Sequence, residues 1–93
     1  MVKIQPTTTD IDALVNERGK THGDFAEMAE ITQQLKDVLR ASPNWASAPA
    51  FVCEGSDMIV HKLARALCGD WNFKDHWVDV QGYAKRVEER CTK

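Results

Sequence analysis

"DFAEMAEITQQLKDVLRA" (residues 24–41) is the stretch that decides the fold. Its large apolar residues recur every three or four positions, which is the spacing of one face of an α-helix. These residues are Phe25, Met28, Ile31, Leu35 and Val38. Asp24 stands where a helix N-cap is favoured, and Glu27 follows it three residues later, as in a capping box. The stretch therefore predicts an amphipathic helix over 24–41.

The helical period continues on both sides of this stretch. Nothing alternates apolar and polar residues over the length of a strand, so three more helices are predicted. They cover about 9–18, 50–68 and 74–90. Gly19 is expected to end the helix over 9–18, and Gly69 the helix over 50–68. The pattern predicts an all-α fold, a compact bundle of about four helices in a single domain over 1–93, with 1–8 as a flexible tail.

Each predicted helix has an apolar stripe that is expected to form the core. Beyond 24–41, the stripes are Ile11, Leu14 and Val15, then Val52, Ile59, Leu63, Ala66 and Leu67, and finally Trp77, Val80, Ala84 and Val87. His76 and Tyr83 flank the last stripe.

Composition excludes several classes of function. The net charge of −2 gives no electrostatic field that would draw the chain to a nucleic acid. The three cysteines, Cys53, Cys68 and Cys91, form no Cys-x-x-Cys pair, so neither a disulfide framework nor a zinc site is indicated. No apolar run approaches a membrane span, and the N-terminus lacks the apolar core of a signal peptide. We therefore expect a cytoplasmic protein with reduced thiols and no membrane partner.

The turn "ERGKTHGDF" (17–25) contains the Gly-Lys-Thr of a phosphate-binding loop. A Walker A loop needs a glycine five residues before Gly19 and a preceding strand, but Leu14 stands there and the segment is helical, so that motif is excluded. A weaker phosphate interpretation remains, because Arg18, Lys20 and His22 lie just before a helix N-terminus. The alternative is that the glycines and Asp24 only end one helix and begin the next. In either case the turn 19–24 is expected to dock against the third or fourth helix, because two glycines in a floating turn would cost backbone entropy with nothing gained.

Two carboxylate pairs have the spacing of a metal site. Glu27 and Glu30 lie three residues apart on one helix, and Glu54 and Asp57 on the next. Residues at this spacing point the same way, so each pair could share a Mg²⁺ ion. The order resembles the metal motif of the all-α nucleoside triphosphate pyrophosphatases, which implies magnesium positioning a triphosphate. The alternative is that these carboxylates are solvated on the outer faces of their helices and that Glu27 takes part in the N-terminal cap of the helix over 24–41.

Other charged residues have predicted structural roles. Lys62 and Asp79 both lie beside core stripes and are expected to contact each other between the third and fourth helices. Asp75 is expected to cap the fourth helix. Asp57, His61 and Arg65 follow one another at four-residue spacing, which suits an exposed charge ladder.

Six short motifs, in one order, resemble those of a family of small uncharacterised proteins of tailed phages and prophages. They are Glu17-Arg18-Gly19, His22-Gly23-Asp24, Lys62-x-x-Arg65, Gly69, Asp75-x-Trp77-x-Asp79 and Gly82-Tyr83-Ala84. The resemblance extends over about 12–88, and the order is also similar to nucleotide-modification-associated domains. It implies an all-α fold, a phage-type origin and a connection with nucleotide metabolism.

The leading hypothesis is a phage-type accessory protein that binds a phosphorylated ligand or nucleotide, with hydrolysis left open. Its predicted ligand-binding residues are Arg18, Lys20, His22, Asp24, Lys62, Arg65, Asp75, Asp79 and Tyr83. The rival hypothesis is a protein–protein interaction module that inhibits or redirects a host protein, for example in host defence.

Two tryptophans and one outward helix face are candidate contact surfaces. Trp45 and Trp71 lie in or near loops, where each would either contact a partner or pack down as a lid over the core. Val78 and Gly82 share an outward face of the fourth helix, and the missing side chain at Gly82 suggests close approach by the 19–24 turn or by a second subunit. A twofold homodimer is expected.

Overall fold

The computed structural model describes residues 8–93, and within this range the chain forms four helices and no strand. The helices are α1 (Thr8–His22), α2 (Phe25–Arg40), α3 (Ala50–Cys68) and α4 (Lys74–Glu88). This confirms the predicted all-α bundle. The predicted N-terminal tail lies outside the described residues, except that Thr8 begins α1. None of the four described helices has the length and apolar character that crossing a membrane would require.

The first helix is longer than the sequence predicts. Gly19 does not end α1, which continues to His22, and the left-handed backbone conformation is found at Gly23, with φ of 79°. A glycine within a helix costs only about 1 kcal/mol relative to alanine, so its presence does not enforce a stop. Gly23 is the necessary glycine, because a Cβ there would overlap the Cys68 carbonyl group.

The starts of α2 and α4 differ in how they are capped. Asp24 is the N-cap of α2 as predicted, and its carboxylate accepts a 2.9 Å hydrogen bond from the Glu27 N–H. The prediction that Asp75 caps α4 is wrong. Phe73 occupies that N-cap position without a side-chain cap, and Asp75 lies inside the first turn of the helix.

The central helix is α3, which contacts each of the other three helices and packs most extensively against α4. Among the described residues, the fully buried apolar side chains are those of Met28, Ala64 and Ala66. Close approach of α3 and α4 depends on Gly55, because a Cβ there would overlap the side chain of Val87. Small residues thus set the spacing of the helices at the middle of the bundle.

The buried face of α2 is not its most apolar face. Met28 and Thr32 are buried, whereas Ile31, Leu35 and Val38 are exposed. At 100° per residue, the buried face is rotated by about 70° from these three residues. Thr32 tolerates burial because its hydroxyl donates a 2.7 Å hydrogen bond to the Met28 carbonyl oxygen. The prediction that the whole stripe from Phe25 to Val38 is core is therefore wrong.

A similar rotation occurs in α4. Its inward seam, at alternating spacings of three and four, consists of Phe73, His76, Val80, Tyr83 and Val87. Trp77 and Ala84 were predicted to belong to the core and are exposed, while His76 is only 2% exposed. The buried imidazole is accommodated because its ring nitrogen forms a hydrogen bond to the backbone.

The predicted core stripe of α1 is not buried at all. Residues 10–20 are exposed, including Ile11, Leu14 and Val15, and only the last turn, with Thr21 and His22, is half-buried. The helix is therefore attached to the rest of the described chain chiefly at its C-terminal end.

Candidate functional site

A cleft of about 980 Å³ lies where the end of α1, the start of α2 and the start of α4 meet beside α3. Its lining consists of Val15, Asn16, Arg18, Gly19, His22, Gly23, Asp24, Phe25, Met28, Arg65, Phe73, Asp75, His76 and Asp79. Six of the nine predicted ligand-binding residues belong to it: Arg18, His22, Asp24, Arg65, Asp75 and Asp79.

The turn between α1 and α2 is fixed against the ends of α3 and α4. The Thr21 carbonyl oxygen accepts two hydrogen bonds, at 3.0 Å from the Asp70 N–H and at 2.7 Å from His76 Nε2. Gly23 and Gly69 pass each other so closely that a Cβ on either would overlap the opposite backbone. The prediction that the 19–24 turn docks is confirmed. Backbone groups and His76 make the attachment.

Three aromatic rings form one wall of the cleft. The His76 ring packs edge-to-face against those of His22 and Phe73, with centroid distances of 4.9 Å and 5.2 Å, and the latter two rings lie 6.4 Å apart. A carbonyl oxygen can only accept, so the His76 Nε2 that faces Thr21 carries a hydrogen. This wall is thus held by both ring packing and a directed hydrogen bond.

Arg65 brings an incompletely satisfied cation to the cleft. Its guanidinium Nε is buried and has no hydrogen-bond partner among the residues that the structure describes. Its charge also affects neighbouring histidines. The pKa of His22 is lowered by burial and by the charge of Arg65, against an opposing hydrogen bond to the Arg18 carbonyl. Burial and then Arg65 likewise lower the pKa of His61. The positive charge of Arg65 therefore acts on both His22 and His61.

The aspartates of the cleft have different surroundings. Asp24 is engaged in capping α2. Asp79 forms a 3.1 Å ion pair with Lys62, which confirms the predicted contact between α3 and α4. Asp75 lies in the first turn of α4, where the helix dipole favours a negative charge. Two of the three carboxylates are thus committed to structural contacts.

The other predicted ligand-binding residues lie outside the cleft. Lys62 and Tyr83 line a smaller depression of about 310 Å³ beside α4, together with Asp79 and Arg86. Lys20 is exposed and belongs to neither lining.

The predicted magnesium site is not formed. Across residues 8–93, no group of three or more histidine, cysteine, aspartate or glutamate side chains is arranged to hold a metal ion. Glu27, Glu30 and Glu54 are exposed. Asp57 is instead half-buried against α2, where it forms a 3.2 Å ion pair with Arg40.

The predicted charge ladder on α3 is also not an exposed one. Asp57, His61 and Arg65 are all half-buried. Because α3 is central, neighbouring helices cover both its polar face and its apolar face.

The candidate contact residues have mixed environments. Trp45 is half-buried beneath the Arg40 guanidinium, which lies 5.5 Å from the ring centroid. The lid interpretation is wrong for Trp71, which is 66% exposed. Val78 is exposed, and nothing lies within 4 Å of a Cβ placed at Gly82, so the 19–24 turn does not approach it.

His76 and Phe73 are the main cleft residues that the predicted site omits. A signal for them was present in the sequence, because the spacing 73, 76, 80, 83, 87 is that of a packed helical seam.

No family model, curated protein or solved structure matches this chain.

Proposed function

We propose that the cleft binds the phosphate group of a small phosphorylated molecule, in the nucleotide class. The observation that carries this proposal is the buried Nε of Arg65, which has no hydrogen-bond partner although it belongs to a permanently charged group. A buried donor left without a partner costs about 1–3 kcal/mol. Arg65 lines the cleft, so an anion bound there would compensate the charge of its guanidinium group.

Other features of the cleft suit an anion. Arg18 is a second guanidinium in the lining, and the N-terminus of α4 has no side-chain cap. Free N–H groups and the dipole at such an end favour negative charge. His22 would add a positive charge on protonation, which a bound phosphate would promote by raising its lowered pKa.

The remainder of the cleft suits the organic part of a nucleotide. A volume of about 980 Å³ is at the upper end of the range of small-molecule sites. Phe73 is at the wall and Phe25 at the rim, where its side chain is 76% exposed. Aromatic side chains are suitable for stacking with a planar base. The resemblance to nucleotide-related phage proteins supports the same class of ligand.

Thermal unfolding with inorganic phosphate and with nucleoside mono-, di- and triphosphates tests the proposal. A ligand at a hundred times its Kd should stabilise the protein by about 2.7 kcal/mol. Arg65→Gln should weaken binding by about 10- to 100-fold, because a charged hydrogen bond contributes about 1.5–3 kcal/mol. The unliganded Arg65→Gln protein should be no less stable than the parent, since the substitution removes a buried donor that has no partner.

Two further variants sharpen the experiment. Arg86→Gln removes a guanidinium outside the cleft and should leave the affinity unchanged. Asp75→Asn removes a negative charge from the lining and should strengthen phosphate binding. If Arg65→Gln and Arg86→Gln behave alike, the cleft is not the phosphate site.

A protein-contact role is the second candidate function. The observation that favours it is the exposure of Trp71, since tryptophan is enriched among residues that dominate binding energy at interfaces. If no phosphorylated compound changes the unfolding temperature, this role becomes the better supported of the two.

A further inference from the structure

The two histidines at the wall of the cleft are held in opposite tautomers. His76 Nε2 faces the Thr21 carbonyl oxygen and therefore carries a hydrogen. His22 Nδ1 lies 3.1 Å from the Arg18 carbonyl oxygen, which can only accept, so in His22 the hydrogen is on Nδ1. A neutral imidazole has one N–H, and the Nε2 atom of His22 is therefore an acceptor.

The hydroxyl group of Thr21 fits the same assignment. It donates its one hydrogen to the Arg18 carbonyl oxygen at 3.1 Å, and it accepts from His22 Nδ1 at 2.6 Å. These contacts fix the orientation of the ring as well as the position of its hydrogen. The Nε2 atom has no hydrogen-bond partner among the described residues, and His22 lines the cleft. This nitrogen is thus available to a ligand.

His22 is mostly neutral at neutral pH. Burial lowers its pKa from the usual 6.5, and repulsion by Arg65, His76 and Lys62 lowers it further. The hydrogen bond to the Arg18 carbonyl oxygen opposes this shift without cancelling it. The carboxylates that line the same cleft are those of Asp24, Asp75 and Asp79. With all these groups in place the balance still favours the uncharged ring, which accepts through Nε2.

We propose that Nε2 of His22 accepts a hydrogen bond from the P–O–H group of a phosphate, so that the cleft selects phosphates that carry a proton over anions that carry none. This inference rests on the proposed phosphate site and narrows its ligands. Inorganic phosphate keeps a P–O–H group at neutral pH, and a terminal phosphate regains one near its second pKa of about 6. A phosphodiester or a sulfate has no such hydrogen. The ligand class is therefore inorganic phosphate or a terminal phosphate group.

The arginines and the histidine contribute differently to this selectivity. Arg18 and Arg65 attract phosphate and sulfate alike, because the two anions have the same tetrahedral shape and the guanidinium groups only donate. A neutral Nε2 atom of His22 beside a sulfate oxygen instead places two acceptors against each other. For sulfate to bind well, the ring must first take up a proton, which its lowered pKa opposes.

Nitrogen NMR spectra of the isotopically labelled, unliganded protein test the first step. The chemical shifts of the two ring nitrogens identify the one that carries the hydrogen, and His76 serves as the internal control. We expect Nδ1–H in His22 and Nε2–H in His76. The Nε2–H tautomer in both rings overturns the proposal, whatever the cleft binds.

Calorimetric titration with inorganic phosphate and with sulfate, at about pH 7.5, tests the selectivity. The parent protein should prefer phosphate by about 10- to 100-fold, which is the contribution of one hydrogen bond to a charged group. His22→Asn keeps a side-chain N–H for the Arg18 carbonyl oxygen and lacks Nε2, so its affinities for the two anions should be nearly equal. Arg18→Gln is the matched control, because it should weaken both anions alike and retain the preference for phosphate.

The outcomes separate this inference from the proposed function. Equal affinity of the parent protein for phosphate and sulfate overturns the selectivity and leaves the phosphate site in place. A preference for phosphate that His22→Asn retains overturns the role of His22. Binding of neither anion overturns the proposed function, and the selectivity with it.

Discussion

The Nε2 atom of His76 donates a 2.7 Å hydrogen bond to the carbonyl oxygen of Thr21, which lies 55 residues earlier in the chain. Through this bond the start of α4 holds the end of α1. Among the described residues the imidazole is also the most deeply buried large side chain, and it packs against two other rings. The contact therefore combines a directed bond with close packing.

His76→Ala is expected to lower the free energy of unfolding by about 2–4 kcal/mol, because it leaves a cavity and removes an acceptor's partner. Urea unfolding measures the effect. His76→Gln retains a donor and should cost less. A loss below about 0.5 kcal/mol for the alanine variant, the size of a surface substitution, would contradict the structural role.

Glycine substitutions should have opposite effects at two positions. Gly69→Ala is expected to be strongly destabilising, because its Cβ would overlap the Thr21 carbonyl oxygen and the Gly23 backbone. Gly82→Ala is the matched control, since it lies within α4 with open space around it. It should stabilise the protein by about 0.5–1 kcal/mol through helix propensity. Equal unfolding temperatures for the two variants would show that the segments around Gly23 and Gly69 do not pass each other this closely.

The Lys62–Asp79 ion pair should contribute a measurable coupling energy. Lys62 is mostly shielded from solvent while Asp79 is half-exposed, so a double-mutant cycle to alanine should give about 1 kcal/mol. The Lys85–Glu88 pair is the control, because both of its side chains are exposed and its coupling should not exceed about 0.5 kcal/mol. Simple additivity of the Lys62 and Asp79 substitutions would disprove the pairing in solution.

Stability should fall as the pH falls below about 6.5. Burial and nearby positive charge lower the pKa of both His22 and His61 from the usual 6.5. The unfolded chain therefore binds protons more readily in the window below 6.5, whereas stability is at its full value above it. Thermal unfolding across this window is the measurement. Replacing both histidines with asparagine should make the dependence shallower, and an unchanged slope would contradict the assignment.

The fold class was predictable because helical spacing extends over nearly the whole described chain. The helix faces that pack against one another were less predictable. The most apolar face of α2 is the one that contains Leu35, yet Thr32 is the residue that is buried. Its burial is tolerated because its hydroxyl donates a hydrogen bond within its own helix and needs no outside partner. Hydrophobicity alone assigns such a threonine to the surface. By the same criterion Trp77 is predicted to lie inside and His76 at the edge of the core.

The candidate site was predictable in part for a different reason. Arg18, His22 and Asp24 adjoin a turn, and a turn between two helices must lie near other helix ends. Asp75, near the start of α4, lies at such an end, whereas Arg65 belongs to the predicted site through the Lys62-x-x-Arg65 motif of the resemblance. The metal prediction failed because spacing within one helix fixes only the direction of a pair. Whether Glu27 and Glu54 meet depends on how their helices rotate about each other, which local sequence does not determine.

The attachment of α1 chiefly by its last turn has a consequence for local unfolding. Residues 11–20 lie in an exposed part of α1, so their amide protons should exchange with solvent through local opening of this helix. Those at the centre of α3 require separation of the whole bundle and should exchange much more slowly. The described residues thus comprise a stable unit built on α3 and α4 and a helix, α1, that can open locally without disturbing that unit.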